Sequence, residues 1–583
     1  MGKIPEKEKL QEEVEEVKRF FEQEGSSRVI TSGSLHMFFS LFNAGCIWVF
    51  IVLGTGWEGL QYFGLTMAIN GIVSLIGIGI SRSFIAEIKA AFITNEDLGR
   101  LKAAVYSKIL FLTGLFLGLL MIATPFIFGF MITNNLLKQC IFASGFASIL
   151  IYSNFVFQIG LEIKNRYDII ALLSIFGGIS LLIGGYIFMI FDLNPFWFAF
   201  HPFFNLTTTI LYIYFFKKLT PYSIRDLIMA GLRTKNMKKM APPEVKDLIE
   251  DHQIWTYMKN SAFSMITNIQ NSKFFEDILF FFAAVYLAIF TDPTYQGFGL
   301  SLLTVLMTYG AVKTVILYYS APLNIEIAEA YARNRHDTVE DSVNDSTRIA
   351  SILALGFLTA MVAISGDLLF YLHSEFFYDG GIFNNELFTI ARTLFILIIT
   401  GQFLYGYSTL FGSALIGSGN ANSAARGFGI TLLIIIGTSP IFIFFFGIIG
   451  IGLVMLISAL FLLPFMLFQL KKRLAINYHA KIFRLIPNLI ILFFILWIFP
   501  FNSTISLVIG ILVAALIYLL LNPFFGASLP KDSQMINDLF NTIKIKPLGD
   551  LIVKFINKVY NLSPFNRTQV IFTKANVNKK KKN

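Results

Sequence analysis

The sequence predicts an all-α integral membrane protein of about 14 transmembrane helices. Three observations carry that prediction. The chain is 55% hydrophobic and only 14% charged, well below the roughly 25% charge of a soluble domain. Its apolar runs are long enough, at about 1.5 Å per residue, to cross a hydrocarbon core of ~30 Å. Backbone groups in lipid must bond internally, and runs this long choose the helical bundle over the closed barrel. The third observation is where the basic residues fall. With the amino terminus inside, 41 of the 46 Lys and Arg residues lie on the cytoplasmic tails, loops and span edges. The external loops 54–59, 131–134, 192–195, 291–295, 372–386, 446–448 and 500–502 hold none. Basic flanks of short loops set orientation, and one span too many or too few would invert every later loop. The expected location is the cell membrane, multi-pass, with both termini cytoplasmic.

The elements follow in order. Residues 1–30 form a cytoplasmic amphipathic segment, with Leu10, Val14, Val17 and Phe21 at helical steps and Glu12, Glu13, Glu15 and Glu16 on the other face. Nothing there reads as a cleavable signal. An N-lobe, 31–216, holds spans near 31–53, 60–81, 103–130, 135–159, 168–191 and 196–216. A basic linker, 217–259, carries Arg233, Lys235, Lys238 and Lys239 ahead of Pro242 and Pro243. A C-lobe, 260–470, holds spans near 260–290, 296–322, 349–371, 387–413, 427–445 and 449–470. Two further spans, 485–499 and 503–525, precede a cytoplasmic tail, 527–583. In that tail Met535, Leu539 and Ile543, and then Ile552, Phe555, Ile556 and Val559, mark short amphipathic helices, and Lys579 to Lys582 favour an anionic leaflet.

The linker divides the first twelve spans into two sets of six, and a repeat joins them. Phe63-Gly64-Leu65 opens span 2 as Phe298-Gly299-Leu300 opens span 8. Ile85-Ala86-Glu87 and Ile327-Ala328-Glu329 follow the inner ends of those spans. Both halves start inside, so the lobes are related by a pseudo-twofold axis along the membrane normal, the parallel arrangement in which two halves rock around a midplane cavity.

Four stretches carry a resemblance to the multidrug/oligosaccharidyl-lipid/polysaccharide exporter superfamily, and within it to polysaccharide flippases that move lipid-linked oligosaccharides. They are Tyr62-Phe63-Gly64 with Gly77-Ile78-Gly79-Ile80-Ser81-Arg82; Ile85-Ala86-Glu87-Ile88; Ala321-Pro322-Leu323-Asn324-Ile325-Glu326; and Leu415-Ile416-Gly417-Ser418-Gly419-Asn420-Ala421. The resemblance covers roughly residues 30–525. The chain departs from the family in lacking a Lys after Gly419, in its long linker and in its tail. The resemblance implies a two-lobed alternating-access transporter of an oligosaccharide or polysaccharide precursor, without ATP hydrolysis and without an enzymatic role.

Intramembrane charges supply the candidate site, since a charge at mid-bilayer costs at least about 2.5–3.5 kcal/mol and is kept for a reason. Lys108 and Lys138 lie one turn from an edge and can snorkel. Lys313 is about nine residues, roughly 14 Å, from the inner end of span 8, beyond comfortable reach of either headgroup layer. It is expected to face a hydrated cavity. Lys273, midway along span 7, has Glu276 and Asp277 at i+3 and i+4, so the cluster reads equally as a structural ion pair or as part of a cation or proton relay. Arg392, six residues into span 10 from outside, either snorkels outward or lines the cavity. Such cations would replace the water lost by a phosphate or pyrophosphate through charge-assisted hydrogen bonds, the use the resemblance implies for cavity cations.

Other classes are weighed on the same residues. A drug/cation antiporter of the same superfamily needs a deep acidic site in the first half, where spans 1–6 hold almost no mid-membrane carboxylate. A polytopic glycosyltransferase, ligase or polymerase needs a catalytic external loop, and 372–386 offers only His373, Glu375, Asp379 and Glu386. Cys46 and Cys140 lie inside spans, so no disulfide framework is indicated. The six His residues show no metal-ligand spacing; His36 and His201 read as packing residues. No cofactor, metal or catalytic residue is implied. The net charge of +10 follows from membrane topology, with anionic inner-leaflet lipids rather than nucleic acid as partner. A monomer is expected.

Overall fold

The computed structural model describes residues 95–127, 135–163, 311–335, 337–379, 382–476, 482–499, 501–528 and 546–562, with short stretches elsewhere such as 32–35 and 88–89. Two N-lobe helices are covered, α1 (Glu96–Ile127) and α2 (Asn135–Ile163). The C-lobe supplies α3 (Ala311–Ala332), α4 (Asp337–Ala363), α5 (Ser365–His373), α6 (Asn385–Gly417), α7 (Ala421–Phe446) and α8 (Ile449–Leu474). Then come α9 (Ile486–Ile498), α10 (Thr504–Leu521) and α11 (Lys546–Leu562). Six described helices are long and apolar enough to cross a bilayer, so this is an all-α, multi-pass membrane protein. Phe116, Leu433 and Leu512 stand exposed on its outside, as expected where lipid is the solvent.

Helix ends match local chemistry. Asn384 caps α6, its side chain accepting the Leu387 N–H at 3.0 Å. Ser503 and Ser506 form a reciprocal capping box at α10. Lys471, Lys472 and Arg473 fill the last turn of α8, where the macrodipole favours cations. Gly419, at φ +78°, ends α6: its N–H bonds Ile416 O, and Asn420 N–H bonds Leu415 O. That is a Schellman closure, which needs a left-handed residue where Gly stands.

Among the described residues, spans and helices coincide closely, and two of them differ. Span 8 was expected to end at 322, but α3 runs through Pro322 to Ala332. Proline removes one hydrogen bond and bends the helix without stopping it here, and residues 323–330 are buried as they continue. Span 9 was expected over 349–371; α4 begins earlier, at Asp337, and one turn residue, Ile364, separates it from α5, with i→i−4 hydrogen bonds continuing across it from Ile364 N–H to Ala360 O and from Leu368 N–H to Ile364 O. Between α5 and α6 sits a two-stranded antiparallel hairpin, Tyr378 paired with Phe383 and Asp379 with Ile382. Phe377, Phe383 and Phe388 cluster over it edge to face, Phe377 and Phe388 5.2 Å apart.

Close packing is built on small residues. A Cβ on Gly145 would meet Gly118 O at 2.7 Å, so α1 and α2 touch backbone to backbone, the small-residue mode of membrane helices. Alternation of span direction is visible too. The starts of spans 1 and 9 and the end of span 14 share one cavity. At the opposite end, Tyr371 donates to Phe501 O at 2.6 Å, joining the last turns of α5 to the loop after α9. In the tail, α11 forms where the pattern predicted a helix; Met535, Leu539 and Ile543 lie outside the described residues. Burial raises the Tyr560 phenol above its usual pKa, and the Arg484 guanidinium partly offsets this.

Candidate functional site

Lys313 lies on the third residue of α3 and is only 8% exposed. A Cβ on Gly406 would stand 3.4 Å from the Lys313 Cα and 2.9 Å from Ile316 Cδ1, so Gly406 brings α6 close against α3 here. Further along the same face, a Cβ on Gly417 would meet Asn324 O at 2.5 Å. Thus two of the four stretches that carry the family resemblance, around Asn324 and around Gly417, touch each other. Buried polar side chains stand along these two helices: Ser320, Gln402, Ser408, Thr409 and Ser413 are each at most 1% exposed. Ser408 and Thr409 return their hydroxyl protons to carbonyls four residues back, which satisfies them in an apolar setting. Tyr405 bonds Ser458 of α8, and Tyr407 bonds Ser351 of α4. Lys313 is therefore enclosed by protein and shielded from lipid.

Arg392 does not join it. It stands fourteen residues before Gly406 on α6, about 21 Å along the axis. Its Nε donates to Ser365 Oγ at 3.1 Å, beside Gly366 at the junction of α4 and α5. Lys273, Glu276 and Asp277 lie outside the described residues.

At the other end of α3 the first and second halves of the chain meet. Lys89 Nζ is 3.8 Å from Glu329 Oε2, and Arg333 is 2.7 Å from Glu329 Oε1. Lys89 stands two residues past the first repeat's Ile-Ala-Glu triplet and Glu329 ends the second, so the repeated segments come together. Closer to the membrane, Ser34 Oγ and Tyr319 OH share a hydrogen bond of 2.9 Å, and Gly33 packs on the Tyr319 ring. Ile88, Tyr319 and Ile327 are fully buried.

A buried charge cluster went unnoticed in the sequence. Arg348 Nη1 binds Asp345 at 2.8 Å and Nη2 binds Asp532 at 2.5 Å. Their side chains are 7%, 4% and 6% exposed. Asp345 at i−3 was legible as a helix pair; Asp532, 184 residues away, left no local trace. Among the described residues, no group of three His, Cys, Asp or Glu is placed to hold a metal.

No family model matches the chain, and none of the curated proteins does. Solved structures do. An outward-facing multidrug resistance MATE family transporter of the MOP superfamily aligns at TM-score 0.56 and 13% identity, over 79% of this chain and 98% of its own. The lipid II flippase MurJ, inward closed, aligns at 0.51 and 16%, over 85% and 97%. A MOP superfamily transporter from Pyrococcus furiosus, whose binding pocket is described as reversed in polarity, aligns at 0.55 and 12%, over 79% and 99%. The chain has the fold shared by these MOP-superfamily transporters and flippases, as the resemblance in its sequence implied.

Proposed function

We propose that the protein flips a lipid-linked oligosaccharide or polysaccharide precursor from the cytoplasmic to the outer leaflet by alternating access. The observation that carries this reading is Lys313, a cation deep in a span, enclosed by protein at a close helix seam. A diphosphate crossing a low-dielectric slab needs such a partner to replace its water. Arg392 would then meet the headgroup near the outer face, and Lys273, Glu276 and Asp277 would supply an ion pair or relay on span 7. Closure of the inner face is assigned to the Lys89–Glu329 and Ser34–Tyr319 contacts, which rocking of the lobes would break. The enzyme reading finds no support in transporter-like neighbours.

A drug/cation antiporter is the second reading, favoured by the outward- and inward-facing multidrug resistance transporter structures the chain resembles. It would want a free acidic site in the membrane. Two buried carboxylates that the structure describes are engaged with cations, Glu329 with Lys89 and Arg333 and Asp345 with Arg348. A cell lacking the gene is expected to accumulate one glycolipid, diphosphate-linked, on the inner leaflet, identified by mass spectrometry of extracted lipids. Unchanged glycolipids together with heightened sensitivity to organic cations would favour the antiporter instead.

A further inference from the structure

Near the shared end of spans 1, 9 and 14 lies a cavity of about 780 Å³, walled by the start of span 1, by α4, by the last turns of α10 and by α11. That volume falls within the roughly 300–1,000 Å³ of small-molecule sites. Its walls are largely apolar: Ile30, Met37, Leu353 and Phe555 are among them. Polar side chains interrupt that surface. Lys554 and Lys558 stand one helical turn apart on α11, both exposed and both lining the cavity. Asn522, 1% exposed, also lines it, its side-chain oxygen accepting from Asn488. The carboxylate among the described lining residues, Asp532, is neutralised by Arg348.

We propose that this cavity holds one acyl chain of an anionic phospholipid from the surrounding leaflet, at a site separate from the transport path. Lys554 and Lys558 bind the phosphate. The entrance is from lipid rather than water: Leu519 and Leu520 line the cavity and continue the exposed apolar face of α10 through Leu516 and Leu512. Charge complementarity selects an anionic headgroup over a zwitterionic one. The chain touches span 1 of one lobe and α4 of the other, beside the Ser34–Tyr319 bond, so its presence braces the lobe contact at this end.

The test uses the full-length protein in nanodiscs and phosphatidylglycerol with a diazirine on its acyl chain, with the phosphatidylcholine analogue as comparison. After illumination, labelled peptides are mapped by mass spectrometry. The expected labels concentrate on 349–353 and 551–556, with at least about tenfold more from the anionic lipid, a difference of ~1.4 kcal/mol. The double variant Lys554→Gln/Lys558→Gln, altered only at exposed positions, loses that preference while remaining monodisperse. Equal labelling by the two lipids would overturn the proposal, as would a preference that survives the double variant. Displacement of the label by a polyisoprenyl phosphate would overturn it too, assigning the cavity to the substrate instead.

Discussion

Arg348→Ala is expected to destabilise the folded protein by about 3–5 kcal/mol, the cost of removing one partner from a buried ion cluster. The substitution takes the guanidinium away from two buried carboxylates, Asp345 and Asp532, at 4% and 6% exposure. Desolvated anions without a counter-charge are the costly outcome, far more than the pair itself is worth. Arg348 Nε has no acceptor, so the cluster is imperfectly satisfied even in the native protein. A second variant follows from that. Arg348→Met combined with Asp345→Asn and Asp532→Asn removes all three charges and should recover much of the loss. The check is the melting temperature of purified protein, with limited proteolysis beyond residue 528 reporting whether the tail has come loose. A single variant as stable as the parent would mean that Asp532 is not held where the structure places it.

Lys313→Met should reduce translocation of a diphosphate-linked lipid by roughly 10- to 150-fold, the value of a charge-assisted hydrogen bond of about 1.5–3 kcal/mol. Met preserves most of the volume beside Gly406 and Ile316, so folding and membrane insertion should survive, which separates a transport defect from a packing one. Lys313→Arg keeps the charge and should retain part of the activity; the crowded seam at Gly406 limits how well the larger group fits. Arg392→Ala offers a contrast. Its guanidinium is tied to Ser365 of α5, about 21 Å along α6 from Gly406, so its loss should affect rate less. Initial rates in proteoliposomes provide the comparison. Full activity in Lys313→Met would remove this residue from the mechanism.

What the sequence made legible is what local pattern encodes. The spans after residue 380 match α6 to α10 within a few residues, because apolar length and flanking charge are properties of neighbouring residues. Gly419 was visible as a turn, and its Schellman closure explains the glycine without the Lys that the family often places next. Pairing across the chain was not visible. Arg348 with Asp532, Tyr371 with Phe501 and Lys89 with Glu329 join positions 130 to 240 residues apart, and no periodicity encodes such partners. Helix continuation past Pro322 was missed for a different reason: a proline reads as a stop, whereas packing of Leu323, Ile325 and Ile327 offsets the lost hydrogen bond. For the candidate site, depth along span 8 singled out Lys313, and its burial agrees with avoidance of lipid. The proximity of Gly406 and Gly417 to α3 had to come from the structure.

The most direct measurement compares two cargoes in vesicles that contain the purified protein alone. One is a fluorescent polyisoprenyl diphosphate carrying a short oligosaccharide; the other is a fluorescent organic cation. The account predicts that the anionic glycolipid exchanges leaflets only when the protein is present, while the cation stays on its own side. Movement of the cation with the glycolipid stationary would contradict it.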